Sequence, residues 1–291
     1  MANDKTQVTG NPIPRRNDVN ILEDMADIAQ AIKGSGLPEV FFTEQSCVWE
    51  QMQALSTYMD LTPRQVTILA VVMEFNGYAS LRDMAEYIGC PVCRLHSMHW
   101  DFELLRHIEY LKEGEKLYEY IIEPDLIAGW AGNQLYRAFQ DPQEAISNHM
   151  LGRIGYEVTH FGAFIKVKEN LGDIINHYLE IYSGCTLLAY IQSLVVASSS
   201  PELGTRILLM LASKYYKAIF YENKADENEF MWFIRRAVPD STESQILDVI
   251  NDLVKGGTLL KEEADTFRIS DGVLHEIGRI IGDDEKKSDE V

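Results

Sequence analysis

Two segments of this chain share a pattern that predicts the same β-hairpin twice. "LKEGEKLYEY" begins at Leu111 and "LKEEADTFRI" begins at Leu260. Each starts with Leu-Lys-Glu and has an aromatic residue, Tyr118 or Phe267, seven positions after the leucine. In each, polar turn residues separate two stretches that favour strands. A single match of this kind is weak, and its meaning depends on the elements that precede each hairpin.

Three predicted helices precede the first hairpin. Thr62 is placed to cap a helix, with Pro63 at its first position and Gln65 where a capping box requires it. After the short extended stretch "YAS", Ser80 caps a second helix, and a third runs from Cys90 to about Arg106. The order of helix, short strand, helix, turn, helix and hairpin is that of a winged helix-turn-helix.

The same order returns before the second hairpin. "SPELGTRILLMLASKYY", "ENEFMWFIRRAV" and "DSTESQILDVINDLVKGG" are predicted helices, and "DGVLHEIGRII" closes the unit after the hairpin. The hairpin match therefore occurs at the same place in the same order of elements, which supports two copies of one unit. We expect a mostly α fold with two winged helix-turn-helix modules, each with a small β-hairpin wing, joined by a helical middle.

The rest of the chain divides around these two modules. Two further helices are predicted ahead of the first module, from Asp18 to Ile32 and from Glu44 to Met59, and "QDPQEAISN" is interpreted as a linker. The expected domains are a disordered tail at 1–16, N-terminal helices with the first module at 17–139, a linker and helical middle at 140–184, the second module at 185–282, and a charged tail or linker at 283–291.

Composition limits the partners of the chain. Its 26 basic and 45 acidic residues give a net charge of −19, which repels nucleic acid and anionic membranes at long range. No apolar run approaches the roughly 18 residues of a membrane span, and the first residues lack the apolar segment of a secretory signal. Four cysteines suit a reducing compartment. We expect a cytoplasmic protein without membrane contact.

The stretch "CPVCRLHSMH" spaces Cys90, Cys93, His96 and His99 three residues apart, which raises the question of a zinc site. If they lie on one helix, each step of three turns the side chain back by about 60°. The four side chains then fan over about 180° and cannot converge on a tetrahedral ion with bonds of about 2.0–2.3 Å. We therefore expect no metal here.

The phase of the third helix predicts a surface for a protein partner. Its outer face carries Cys93, Ser97, Trp100 and Leu104, with His96 at the edge. An exposed tryptophan beside a leucine suits a protein partner better than DNA, because a DNA-reading helix presents Arg, Lys, Asn or Gln. The opposite stripe is expected in the core and consists of Leu95, Met98, Phe102 and Leu105.

The second module is less suited to DNA than the first. Its third helix carries Glu243, Asp248 and Asp252 against Lys255, and its wing "KEEAD" has three acids and one base. A wing of this charge would repel phosphates. We therefore expect neither module to bind nucleic acid, and a DNA-binding winged-helix transcriptional regulator is the alternative interpretation.

Catalytic motifs are absent from the sequence. There is neither a G-x-x-x-x-G-K-[ST] phosphate loop nor a G-x-S-x-G elbow, and no acid, base and nucleophile assemble in any stretch. We expect no enzyme activity in this chain, no catalytic residues and no cofactor.

One family resemblance adds to this reading. The stretch from "LTPRQVTILAVVM" to "LLRHIEYL" resembles the N-terminal winged-helix region of certain bacterial AAA-type ATPases, and "LLKEEADTFRISDGVLHEIG" resembles the hairpin and helix that precede the ATPase module there. The matching positions are Leu61-Thr62, Ser80-Leu81 and Gly89-Cys90. The likeness covers Leu61 to Glu123 and, more loosely, Cys185 to Ile281. Since no Walker motif is present, the resemblance implies a truncated piece or a stand-alone adaptor, which acts through protein contacts.

Overall fold

The computed structural model describes residues 19–160, 171–217, 224–226, 231–232, 234–236, 238, 240–262 and 266–282. These residues form a mostly helical protein with two small antiparallel sheets. The predicted tails at 1–16 and 283–291 lie outside the described residues, as does part of the predicted helix "ENEFMWFIRRAV".

The N-terminal half carries seven α-helices, a 3₁₀-helix at Glu39–Phe42 and three strands among its described residues. The α-helices and strands are α1 (Ile21–Ile32), α2 (Trp49–Met59), α3 (Pro63–Glu74), β1 (Tyr78–Ser80), α4 (Leu81–Ile88), α5 (Val92–His96), α6 (His99–His107), β2 (Lys112–Glu113), β3 (Glu119–Ile121) and α7 (Pro124–Ala131).

The C-terminal half begins with the longest described helix. Its described elements are α8 (Pro142–His160), α9 (Leu171–Ile181), α10 (Thr186–Val195), α11 (Pro201–Lys217), β4 (Lys224–Asp226), α12 (Glu243–Lys255), β5 (Leu259–Lys261), β6 (Thr266–Ile269) and α13 (Asp271–Ile281).

The two sheets have the same strand order. In the first, β3 lies between β1 and β2, and in the second, β6 lies between β4 and β5. Tyr120 at the centre of β3 pairs with Ala79 and Glu113, and Phe267 on β6 pairs with Ala225 and Lys261. Both predicted hairpins are therefore present, and the extended "YAS" forms the third strand of its sheet.

The predicted helix starts are confirmed at three capping boxes. The pairs Thr62–Gln65, Ser80–Asp83 and Thr242–Gln245 each exchange side-chain and backbone hydrogen bonds. These contacts join residues three apart, so that the sequence alone identifies them.

Ser80→Ala is expected to lower the free energy of unfolding by about 1 kcal/mol, because its hydroxyl caps α4. The hydroxyl also donates to the Asp83 carboxylate at 2.6 Å, which lowers the pKa of Asp83. That contribution is present above about pH 4 and is lost as the pH falls through the lowered pKa. Urea titrations from pH 7 to pH 3 should show this loss in the wild type and a weaker one in the variant. Ser244→Ala, at an exposed non-cap position, should change stability by less than about 0.5 kcal/mol.

Three sequence predictions are wrong in their bounds. The second helix begins at Trp49 rather than Glu44, because residues 43–48 form turns. Most of "QDPQEAISN" is helical rather than a linker, since α8 begins at Pro142. The third helix is not continuous, because a turn at Ser97–Met98 separates α5 from α6.

The buried hydrophobic side chains form two clusters, one spanning Val19 to Trp130 and the other Ile146 to Ile281. Helix α8 buries Ile146, Met150, Leu151 and Ile154 in the second cluster and also packs against α6 of the first half. It therefore covers a face of α6 that the first half alone would leave exposed. The predicted domain boundaries stay predictions.

Candidate functional site

The break between α5 and α6 changes which side chains reach the surface. The Ser97 hydroxyl donates to the carbonyl of Arg94 at 2.6 Å, and its N–H donates to the carbonyl of Cys93. A serine side chain that bonds to a nearby carbonyl competes with helix continuation. The regular helical spacing of side chains is therefore interrupted at Ser97, and the faces of α6 cannot be assigned by counting residues from α5. The predicted core stripe is nevertheless buried, at Leu95, Met98, Phe102 and Leu105.

Leu104 is the clearest correction to the predicted partner surface. Its side chain is 6% exposed and belongs to the first hydrophobic cluster. Trp100 is half-buried rather than exposed, and its carbonyl accepts a hydrogen bond from the Tyr156 hydroxyl of α8 at 3.3 Å. Sequence reasoning treated the third helix as an isolated unit, and so it missed the cover that α8 provides.

The remaining predicted residues lie on the surface. Cys93, His96 and Ser97 are all exposed, at α5 and the turn that follows it. The His96 ring lies 4.8 Å from the Tyr118 ring in an edge-to-face arrangement. Helix α5 and the first wing therefore form one continuous surface.

Sequence reasoning missed the apolar tip of this wing. Leu117 is 77% exposed and Tyr118 is 43% exposed, both in the turn between β2 and β3. Tyr118 also has a left-handed backbone (φ 64°), which a residue with a bulky side chain rarely adopts. The signal in the sequence was an apolar Leu-Tyr pair where a hairpin turn favours Asn, Asp or Gly. We call Val92, Cys93, His96, Leu117 and Tyr118 the wing surface.

The arginines near this surface are engaged within the protein. Arg94 contacts the Glu39 carboxylate at 2.8 Å. Arg106 contacts Glu103 at 2.8 Å and Glu113 at 3.2 Å, and its side chain is 18% exposed. Reading a base with either guanidinium would first require breaking these ion pairs, which lowers the net gain from a DNA contact.

An exposed phenol lies at the edge of the same sheet. The Tyr78 hydroxyl donates to the Glu119 carboxylate, and this hydrogen bond raises the pKa of Tyr78 to about 12. The same bond lowers the pKa of Glu119. The Tyr78 hydroxyl is therefore already engaged by Glu119, whose side chain is buried and also pairs with Lys116 at 3.4 Å.

Helix α12 occupies the corresponding position before the second hairpin. Its buried stripe consists of Ile246, Val249, Ile250 and Leu253. The exposed side chains include Asp248, Asn251 and Lys255, and Glu243 pairs with Arg235 at 2.6 Å. This face is polar and carries charges of both signs.

A metal site is not formed by "CPVCRLHSMH" or elsewhere in the described residues, where no three His, Cys, Asp or Glu side chains are grouped to hold an ion. Cys90 is half-buried, and burial raises the pKa of its thiol, whereas Cys93 is exposed. The expectation of a metal-free protein remains a prediction.

Comparison with known proteins identifies no relative, since no family model, no curated protein and no solved structure matches this chain. Across the helices that the structure describes, none is both long enough and apolar enough to cross a membrane.

Proposed function

We propose that this chain is a non-catalytic recognition module that binds a protein partner through the wing surface. We further propose that it is built on two winged helix-turn-helix modules and acts as the N-terminal region of, or an adaptor to, an AAA-type ATPase. The shared strand order of the two sheets supports the two-module assignment. The resemblance around Leu61 to Glu123 motivates the link to an AAA-type ATPase.

One observation carries the choice of a protein partner. Helix α6 is the helix that such a module would place in the major groove, and one face of it is packed against α8. The side chains exposed at α5 and the wing tip include Cys93, His96, Leu117 and Tyr118, beside the charged Arg94, Glu115 and Lys116. Aromatic and aliphatic side chains of this kind are typical anchors of protein interfaces.

The alternative is a DNA-binding transcriptional regulator. One feature favours it: the exposed face of α12 offers Asn251 and Lys255, which are residue types that contact bases and phosphates. Against it, the same face carries Asp248, and the whole chain has a net charge of −19. Selection from a random duplex library near physiological salt distinguishes the two. We expect no enriched motif and no binding tighter than about micromolar, whereas specific complexes reach about 10⁻⁸ M or below.

The identity of the partner and the place where it binds can be tested by crosslinking from two exposed native cysteines. A photo-reactive crosslinker is attached to Cys93 in a Cys47→Ser background, and the matched control carries it on Cys47 in a Cys93→Ser background. Buried Cys185 and half-buried Cys90 react more slowly, because burial raises the pKa of each thiol.

In the source cell, we expect an adduct with a Walker-motif protein from Cys93 and none from Cys47. Identical adducts from both positions would refute the wing surface as the binding site. A specific Cys93 adduct without any ATPase would refute only the proposed link to the AAA family.

A further inference from the structure

We draw no further inference here: the strongest candidate, the cleft of about 260 Å³ between the end of α6, the base of the first wing and Tyr216 of α11, carries nothing because its two basic side chains, Arg106 and Lys112, are already paired with glutamates of the same half, and nothing in the described part of the chain shows what fills it.

Discussion

Replacing Gly152 with alanine is expected to lower the free energy of unfolding by about 2–3 kcal/mol, because α8 and the end of α6 are in close contact there. An alanine Cβ would overlap the backbone carbonyl oxygen of His107, and it would lie 3.0 Å from the carbonyl carbon and 3.2 Å from the Cα of Ile108. Backbone atoms cannot move aside as a flexible side chain can. The helix would have to shift away from α6.

This expected destabilisation is opposite in sign to the effect that helix propensity alone predicts for Gly152→Ala. In an uncovered helix interior, Gly→Ala adds about 1 kcal/mol of stability. Gly272→Ala in α13 provides the matched control, because its new Cβ would meet no atom within 4 Å. It should be neutral or stabilising by up to about 1 kcal/mol. Guanidinium denaturation measures both changes, and a stabilised Gly152→Ala protein would show that α8 does not cover α6.

Asp60→Asn is expected to destabilise the protein by about 3 kcal/mol, because it leaves a buried guanidinium without its carboxylate. Arg153 on α8 is 4% exposed in its side chain, donates to the Asp60 carbonyl and lies 3.8 Å from the Asp60 carboxylate. Asp60 has a left-handed backbone (φ 51°), and asparagine tolerates that conformation. The substitution therefore changes charge with little change in shape.

A double-mutant cycle separates the charge effect from other losses. With Arg153→Met in the same chain, the uncompensated charge is gone, and the double variant should be more stable than the sum of the single changes predicts. Glu276→Gln is the control, since Glu276 pairs with Arg279 at the surface, where solvent screens the ion pair, and it should change stability far less than Asp60→Asn does. Strictly additive effects at Asp60 and Arg153 would contradict a pairing between the two halves.

The strongest sequence predictions depended on neighbouring residues. A capping box such as Ser80–Asp83 is completed within one turn of helix, so that its residue types already specify the contact. The hairpins depended on strand-forming residues on both sides of a short turn, and both are present. The core stripe through Phe102 stayed buried across the break at Ser97.

Which residues of the predicted partner surface are exposed depended on contacts with residues far away in the sequence. The prediction was therefore only partly right. Cys93, His96 and Ser97 are exposed, whereas Trp100 is half-buried and Leu104 is buried. No pattern within the third helix could reveal that a helix from the other half lies across it.

The sequence by itself determined where the three helices with capping boxes begin, where the chain turns back in its two hairpins, and that the chain carries a large negative charge. These properties follow from residue types and from spacings of two to four positions. Only the tertiary structure decided that α8 covers α6, that Arg153 joins the two halves at Asp60, and that Leu104 is buried rather than exposed. The physical reason is that burial and ion pairing depend on which surfaces meet, and these surfaces come from residues far apart in the chain.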